Sequence, residues 1–579
     1  MSKLSVDQKS IKDLFSEKKA DFLIPDYQRP YAWGDKECLT LWEDIFSFAF
    51  PDNDYSKFNS DNDEYYLGPI VTFKNADGKL EIIDGQQRLT TLMLLLRAFY
   101  SKFANMEDRN SKNTRKIIER CIWKTDEFGN PQKDALKIDS EVATDNDKEE
   151  FLDILKTGHA TDKKSAYAAN YRLFENKIVE FLNKYPSYFP YLPVRILSNC
   201  ILLPIEAESQ DTALRIFSTL NDRGKALSDA DIFKAQFYKF FKNKGKKEEF
   251  IQKWKKLEEQ CEEIFHPISG TAMDELFTRY MYYERAKMGL KSSTTEALRK
   301  FYEKDAYKLL KNETTFDNLI NLAEFWNDVD NQNNERFSEE VLRRLYVLNY
   351  APNGMWTYFV SVYYMAKKQE DNSLDNQEFI LFLNKITAFI WGYAIVHPGV
   401  NALRTPVYAE MVNLVNGLPI EFLDFKFERS QTQIAIDNFV FNNNRAITKA
   451  MLTWWAFTFE NQVLLPLETV IETEHIYAAN RQEKEHSLMD VSNLESLGNK
   501  AILEKRINIR ASDYRFEDKT KYYKGFTSSN GKTKDGTKNY ELLSLAESVE
   551  DFVESDIISR QNKIVNGFMD YLQQYNLVK

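Results

Sequence analysis

The chain is 579 residues long, 43% hydrophobic and 14% aromatic, and carries a formal net charge of -11. Its length exceeds what one hydrophobic core usually organises, and its apolar content excludes a chain disordered throughout, so two or three domains are expected. The acidic balance excludes a protein that coats nucleic acid over its whole surface, while a local basic face stays compatible with DNA binding.

The opening MSKLSVDQKSIKDLF is polar and helical in pattern, without the basic start, apolar run and small-residue site of a secretion signal. Apolar stretches such as LTTLMLLLRAFY are broken by Thr and Arg short of a bilayer's span, so no membrane association is expected. Cys38, Cys121, Cys200 and Cys261 stand far apart in no paired spacing, which suggests neither zinc nor a disulfide framework and fits a reducing cytoplasm.

Residues 1–240 mix short strand-like runs, IVTFKN, LEIIDG and CILLPIEA, with helical periodicity and read as an α/β or α+β domain. Inside it, a stretch from about residue 105 to 165, rich in Lys, Asp, Glu and Asn, reads as an insertion with substrate contacts or as a solvated helical flap.

The segment IPDYQRPYAWGDKECLTLWEDI joins an extended, Pro-punctuated stretch to a helix, with Gln28, Arg29, Tyr31 and Trp33 at the junction. Guanidinium and amide donors there could meet helix-terminal N–H groups around a phosphate. The bland alternative is that Tyr27, Tyr31 and Trp33 fasten the segment to the core. LEIIDGQQRLTTLMLLLRAFY passes from a strand through Asp84 and Gly85 into a helix opened by Gln86, Gln87 and Arg88, a join suited to an anion. Gly85 permits an unusual backbone angle, the glutamines can hold water or a base edge, and Arg88 can pair bidentately with phosphate. The glycine-rich cradle and Lys of a Walker motif are missing. IFSTLNDRGKALSDADIFKA then sets Asn221 and Arg223 beside Gly224, ahead of a helix capped by Ser228 or Asp229.

Residues 241–455 change to long amphipathic segments, among them SEEVLRRLYVLNY and FILFLNKITAFIWGYAIV, which predict a helical bundle. Its aromatic stripes, Trp356, Tyr358, Tyr363 and Tyr364, read as core rather than as a platform for nucleobases. Residues 456–579 carry TVIETEHIYAANRQEKEH, with Glu474 directly before His475 after a short strand. Neighbours on a strand point opposite ways, so a kink is needed for both to serve one centre. Asn493, Asn499, Asn508, Asp513 and Lys519 follow in a basic stretch, and two closing helices end the region; the nearby His486 reads as a surface residue.

IPDYQRPYAW, YYLGPIV, IIDGQQRLTTL and FSTLNDRGKALSDADIFK, in that order, resemble the signatures of the GmrS-type, ParB/sulfiredoxin-like domain of GmrSD modification-dependent restriction endonucleases. The resemblance implies binding and hydrolysis of a nucleoside triphosphate, GTP or ATP, coupled to recognition of modified DNA. It puts Asp84, Gly85, Gln86, Gln87 and Arg88 at the nucleotide, supported by Gln28, Arg29, Asn221 and Arg223. The rear residues are similar in order to an HNH, or ββα-metal, nuclease. That template implies His475 as base, Glu474 and Asn508 as ligands of Mg²⁺ or Mn²⁺, Asn499 as the residue that orients the loop or the His, and Lys519 against phosphate charge. The family's EHIxP pattern has Ala478 here in place of Pro.

The expected architecture is therefore a predominantly helical, multidomain α+β protein: a ParB/sulfiredoxin-like domain, a helical middle and a ββα-metal nuclease. The expected function is a phage-defence endonuclease acting on modified double-stranded DNA, with symmetric cutting of both strands favouring a homodimer. A nucleotide-dependent DNA-binding or regulatory protein with a degenerate nuclease domain is the alternative, and an enzyme acting on nucleotides alone is a third reading.

Overall fold

The computed structural model describes residues 5–6, 8–18, 20–142, 145–161, 164–210, 212–214, 216, 228–292, 294–399, 402–528 and 531–579. The chain divides into two compact units, Met1–Lys256 and Leu257–Lys579. It is predominantly helical, with a mixed sheet confined to the first unit and short hairpins elsewhere.

The first unit contains strands β1 (Ser5–Val6), β2 (Lys9–Ser10), β3 (Phe22–Ile24), β4 (Tyr65–Lys74), β5 (Leu80–Asp84), β6 (Trp123–Thr125), β7 (Pro131–Leu136), β8 (Ile138–Ser140) and β9 (Cys200–Ala207). Seven of them form one sheet in the order β1-β9-β4-β5-β3-β8, with β2 also on β9, while β6 and β7 pair separately. The runs IVTFKN, LEIIDG and CILLPIEA are its three central strands: β5 lies antiparallel to β4, and β9 parallel to β4. LTTLMLLLRAFY falls in the helix Gln86–Phe103, which is buried along most of its length. An all-round apolar helix of this kind belongs inside a core, and its flanks are covered by the helices Arg109–Ile122 and Ala166–Lys184.

The stretch from about residue 105 to 165 is not a solvated flap, which corrects one of the two alternatives the sequence offered. Ile118, Cys121, Ile122, Trp123, Phe151, Ile154 and Leu155 join the main core of the unit, and β8 completes the sheet. Many of its charged residues are exposed, while Lys137, Asp145 and Glu150 are buried, so polar composition disguised an integral part of the fold. Cys38, Cys121, Cys200 and Cys261 are buried free thiols.

The second unit begins as a helical assembly. The helices Ala272–Lys287 and Glu339–Leu348 start at Thr271 and Ser338, whose side chains accept from backbone N–H groups of the first turn. Among the described residues, one helix, Asn376–Val396, is long and apolar enough to cross a membrane, with a mean hydropathy of 1.7. Phe389, Ile390 and Trp391 on it are fully or almost fully buried, the environment of a core helix. The expected aromatic core residues Trp356, Tyr363 and Tyr364 are likewise buried. The rear of this unit holds a hairpin of β10 (Ile471–His475) and β11 (Lys500–Glu504), then the helices Lys505–Ala511 and Phe516–Lys524. Ile476, Tyr477, Leu503, Ile507, Phe516 and Tyr523 form a small core beneath it. The closing pair of helices is Tyr540–Ser548 and Glu554–Gln574.

Candidate functional site

In the first unit, β5 ends at Asp84 and the chain turns at Gly85 into the helix Gln86–Phe103. Gly85 has φ 93°, and a Cβ there would also stand 3.2 Å from Ile70 Cγ1, so the turn requires glycine on both counts. Asp84 lies within electrostatic reach of two guanidinium groups, Arg88 and Arg29. Burial raises its pKa above the ordinary 3.8, against the opposing pull of those cations. Two cations around one carboxylate, at the N-terminus of an 18-residue helix, leave a net positive junction.

The glutamines do something other than the sequence suggested. Gln28 Nε2 donates to Ile82 O and Ile83 O at 3.3 and 3.2 Å. Gln86 Nε2 donates to Arg29 O at 3.3 Å, and Gln87 Nε2 to Pro30 O at 3.0 Å, while Gln87 Oε1 accepts from Ala32 N at 2.7 Å. The Pro-punctuated segment before the first long helix has no strand partner along these residues, so its buried backbone groups need side-chain partners, and the amides supply them. Tyr31 adds a hydroxyl contact of 2.6 Å to Thr91 and stacks on Tyr167, which is the fastening role weighed for it. Arg88 Nη1 donates to Pro69 O at 2.9 Å, tying DGQQR to YYLGPIV. Asn221 and Arg223 lie outside the described residues.

A group whose folded pKa is raised stabilises the fold fully below its unfolded value and loses that contribution as pH rises through the folded value. The melting temperature of wild type relative to Asp84→Asn is therefore expected to fall as pH climbs above 3.8. A difference that stays flat, or that grows with pH, would remove burial as the dominant influence on Asp84.

In the second unit, β10 and β11 run in unbroken register from Ile471↔Glu504 to His475↔Lys500. The kink that would turn Glu474 and His475 onto one centre is absent, so the two side chains leave the strand on opposite faces. Glu474 is buried, and its Oε1 accepts from Lys519 Nζ at 2.8 Å and from the Tyr523 hydroxyl at 2.6 Å. Lys519 also donates to His475 O at 2.6 Å. Burial raises the Glu474 pKa, with Lys519 opposing it. Asn508 Nδ2 donates to Glu472 Oε2 at 2.9 Å, so Glu472, two residues from Glu474, shares that face.

His475 meets other partners. Its Nε2 is 3.4 Å from Glu495 Oε1 without hydrogen-bond geometry. Glu495 Oε2 accepts from Lys500 Nζ at 2.6 Å. Burial, then the neighbouring Lys500 ammonium, push the imidazole below its ordinary pKa of 6.5, against the pull of Glu495, and so favour its neutral form. Asn499, fully buried, laces the turn after β10: its Oδ1 accepts from Tyr477 N at 2.7 Å, and its Nδ2 donates to Tyr477 O and Leu494 O, each at 3.0 Å. Ala478 stands at φ -70°, the angle a proline ring would impose, so the turn holds that conformation without one. Asn493 bonds Glu554 instead of entering the site, and His486 is exposed at a helix end.

Glu495, Lys500, Glu472 and Tyr523 were not foreseen. Tyr523 follows Lys519 by one helical turn, a spacing that could have revealed it, and Lys500 is the cross-strand neighbour of His475. The carboxylate of Glu474 and the amide oxygen of Asn508 are hard donors of the kind Mg²⁺ takes in ones and twos beside water and substrate phosphate, so the donor chemistry fits a divalent ion. Lys519 competes for the same carboxylate. Among the described residues, no three His, Cys, Asp or Glu side chains gather where they could hold a metal.

Residues 11–238 match the family model described as GmrSD restriction endonuclease, N-terminal domain. The match lies within the first unit and spans all four front segments, including the Asp84–Arg88 junction. The hairpin of the second unit lies beyond it. No curated protein matches the chain.

Proposed function

We propose that the chain is a phage-defence DNA endonuclease whose ParB/sulfiredoxin-like front domain binds and hydrolyses GTP or ATP and recognises modified double-stranded DNA, and whose rear, ββα-type hairpin cleaves phosphodiester bonds. The observation that carries the nuclease reading is the imidazole of His475: burial and Lys500 favour its neutral form, its side chain is 22% exposed, and its buried Nε2 lies 3.4 Å from the Glu495 carboxylate, outside hydrogen-bond geometry. Such a group can take the proton of an attacking water. Lys519 holds the backbone carbonyl of the same residue, and Asn499 fixes the turn that follows, so the base is oriented from both sides. Lys505, Arg506, Lys521 and Lys524 are exposed on the helices after the hairpin, a local basic face for a DNA backbone within an acidic protein. A divalent ion would offset the negative charge that builds on the phosphate, but Glu474 and Asn508, the donors the resemblance implies, lie on the face of β10 away from the imidazole.

For the front domain, support comes from Arg29 and Arg88 beside Asp84 at a helix start, which suits a triphosphate. The amides of Gln28, Gln86 and Gln87 build the junction and leave phosphate recognition to the guanidinium groups. One observation favours the second reading, a nucleotide-dependent DNA-binding protein with a degenerate nuclease: the Glu474 carboxylate is tied down by Lys519 and Tyr523 on the face away from the imidazole. The deciding experiment incubates the purified chain with modified and plain phage DNA, with and without nucleoside triphosphate, in Mg²⁺, in Mn²⁺ and in chelator. Nucleotide-responsive cutting of modified DNA is expected. DNA binding without cutting under every condition would sink the nuclease assignment and leave the second reading.

A further inference from the structure

Within the second unit, the helices Ala272–Lys287, Glu313–Asp330, Glu339–Leu348 and Met355–Lys367 border a cavity of about 140 Å³. Its floor is aromatic. The indoles of Trp326 and Trp356 meet edge to face, their centroids 5.7 Å apart at 66°. Beside them the Arg279 guanidinium carbon lies 4.2 Å from the Trp326 ring centre and 4.5 Å from that of Phe265. Arg279 is 8% exposed; its Nε bonds Glu275 at 2.9 Å, but its buried Nη1 has no hydrogen-bond partner. At the rim stand the polar side chains of Asp330 and Asn349, both exposed.

A buried guanidinium N–H left unbonded beside a largely apolar recess is a standing demand for an acceptor. An aliphatic ligand would leave that demand unmet, and an inorganic anion would leave the rings uncovered. A heteroaromatic ring meets both, because its face stacks on indole while ring nitrogens and carbonyls face the guanidinium. Size narrows the choice further. Sites for larger organic ligands run to about 300–1,000 Å³, so this cavity suits one ring system and not a dinucleotide or a peptide.

We propose that this cavity binds a single nucleobase, stacked on Trp356, with an acceptor edge toward Arg279, which itself lies on Trp326, and donor groups toward Asp330 or Asn349. The site is separate from the triphosphate junction of the first unit and does not depend on the nuclease assignment. The base can come from a free nucleoside or from a nucleotide swung out of a DNA strand; the chemistry recognised is the same.

Two probes separate these sources. Guanosine, adenosine, cytidine and thymidine, which lack the phosphates that Arg29 and Arg88 would attract, are measured by equilibrium dialysis against the full chain. A single-stranded oligonucleotide carrying 2-aminopurine is followed by its fluorescence. Saturable nucleoside binding, weakened about tenfold or more by Trp356→Ala, indicates a soluble ligand, as expected from the strength of base–aromatic stacking. A fluorescence change with the oligonucleotide, but no nucleoside binding, indicates a base taken from a strand. Asn349→Trp, at an exposed rim position, plugs the mouth without touching the floor, and it decides the matter if Trp356→Ala folds poorly. The proposal is overturned if neither probe binds, or if Asn349→Trp leaves the binding of both unchanged.

Discussion

His475→Ala is expected to slow phosphodiester cleavage by about 10²–10⁴-fold, the usual worth of a positioned general base, while DNA binding stays near wild type. The two effects separate because of electrostatics. Burial and the Lys500 ammonium favour the neutral imidazole, so its removal takes little positive charge from the surface proposed to face DNA. The side chain is also peripheral to the small core beneath the hairpin, which is built from Ile476, Tyr477 and their neighbours. Initial cleavage rates and filter-binding affinities of the two proteins, measured side by side, make the check. Cleavage at the wild-type rate would exclude His475 from the chemistry, and parallel losses of cleavage and affinity would assign it to DNA binding.

Arg560→Ala is expected to cost the second unit about 3–5 kcal/mol, the range for removing one partner of a buried ion pair. Arg560 is 5% exposed and meets Glu541 through two bonds of 2.7 Å. Its Nη1 donates to Leu497 O, Gly498 O and Lys500 O at 2.8, 3.1 and 2.6 Å. Loss of the side chain would strand the Glu541 carboxylate and unseat three carbonyls of the loop that carries Asn499. Glu541→Gln keeps the side chain's shape and one acceptor oxygen but sets an N–H₂ where the other oxygen accepts, and a smaller loss than that of Arg560→Ala is expected. Urea denaturation followed by tryptophan fluorescence reads both variants, since Trp455 Nε1 bonds Glu541 at 2.7 Å. A loss under about 1 kcal/mol for Arg560→Ala would place it among surface pairs, contrary to its burial.

Local pattern was enough for the elements. IVTFKN, LEIIDG and CILLPIEA became β4, β5 and β9, the SEEVLRRLYVLNY segment became a capped helix, and the closing helical pair sits where its periodicity put it. Those features are written in spacings of two to four residues. The partners of polar side chains are not. Gln28 reaches Ile82 and Ile83, Lys519 reaches Glu474, and Arg560 reaches the 497–500 loop, each across dozens of residues with no periodic signature. Hence the sequence singled out the Asp84–Arg88 junction and the His475 strand, but did not show that the glutamine amides bond the backbone of the Pro-punctuated segment, and could not tell which face of β10 each acidic side chain would take. The Trp326–Trp356 cavity was invisible for the same reason: an aromatic stripe looks alike whether its edge meets a neighbour or a void.

Gly498 is where the Glu554–Gln574 helix crosses the hairpin's return, so near that a Cβ would stand 2.1 Å from Ile557 O, and Gln561 Oε1 takes the Gly498 N–H at 2.9 Å. During synthesis the ribosome delivers His475 and its turn well before that helix. A nascent chain halted between the two would bear the imidazole on an unbraced loop. If the hairpin cuts DNA as proposed, a chain stopped after residue 553 is expected to bind DNA without nicking it.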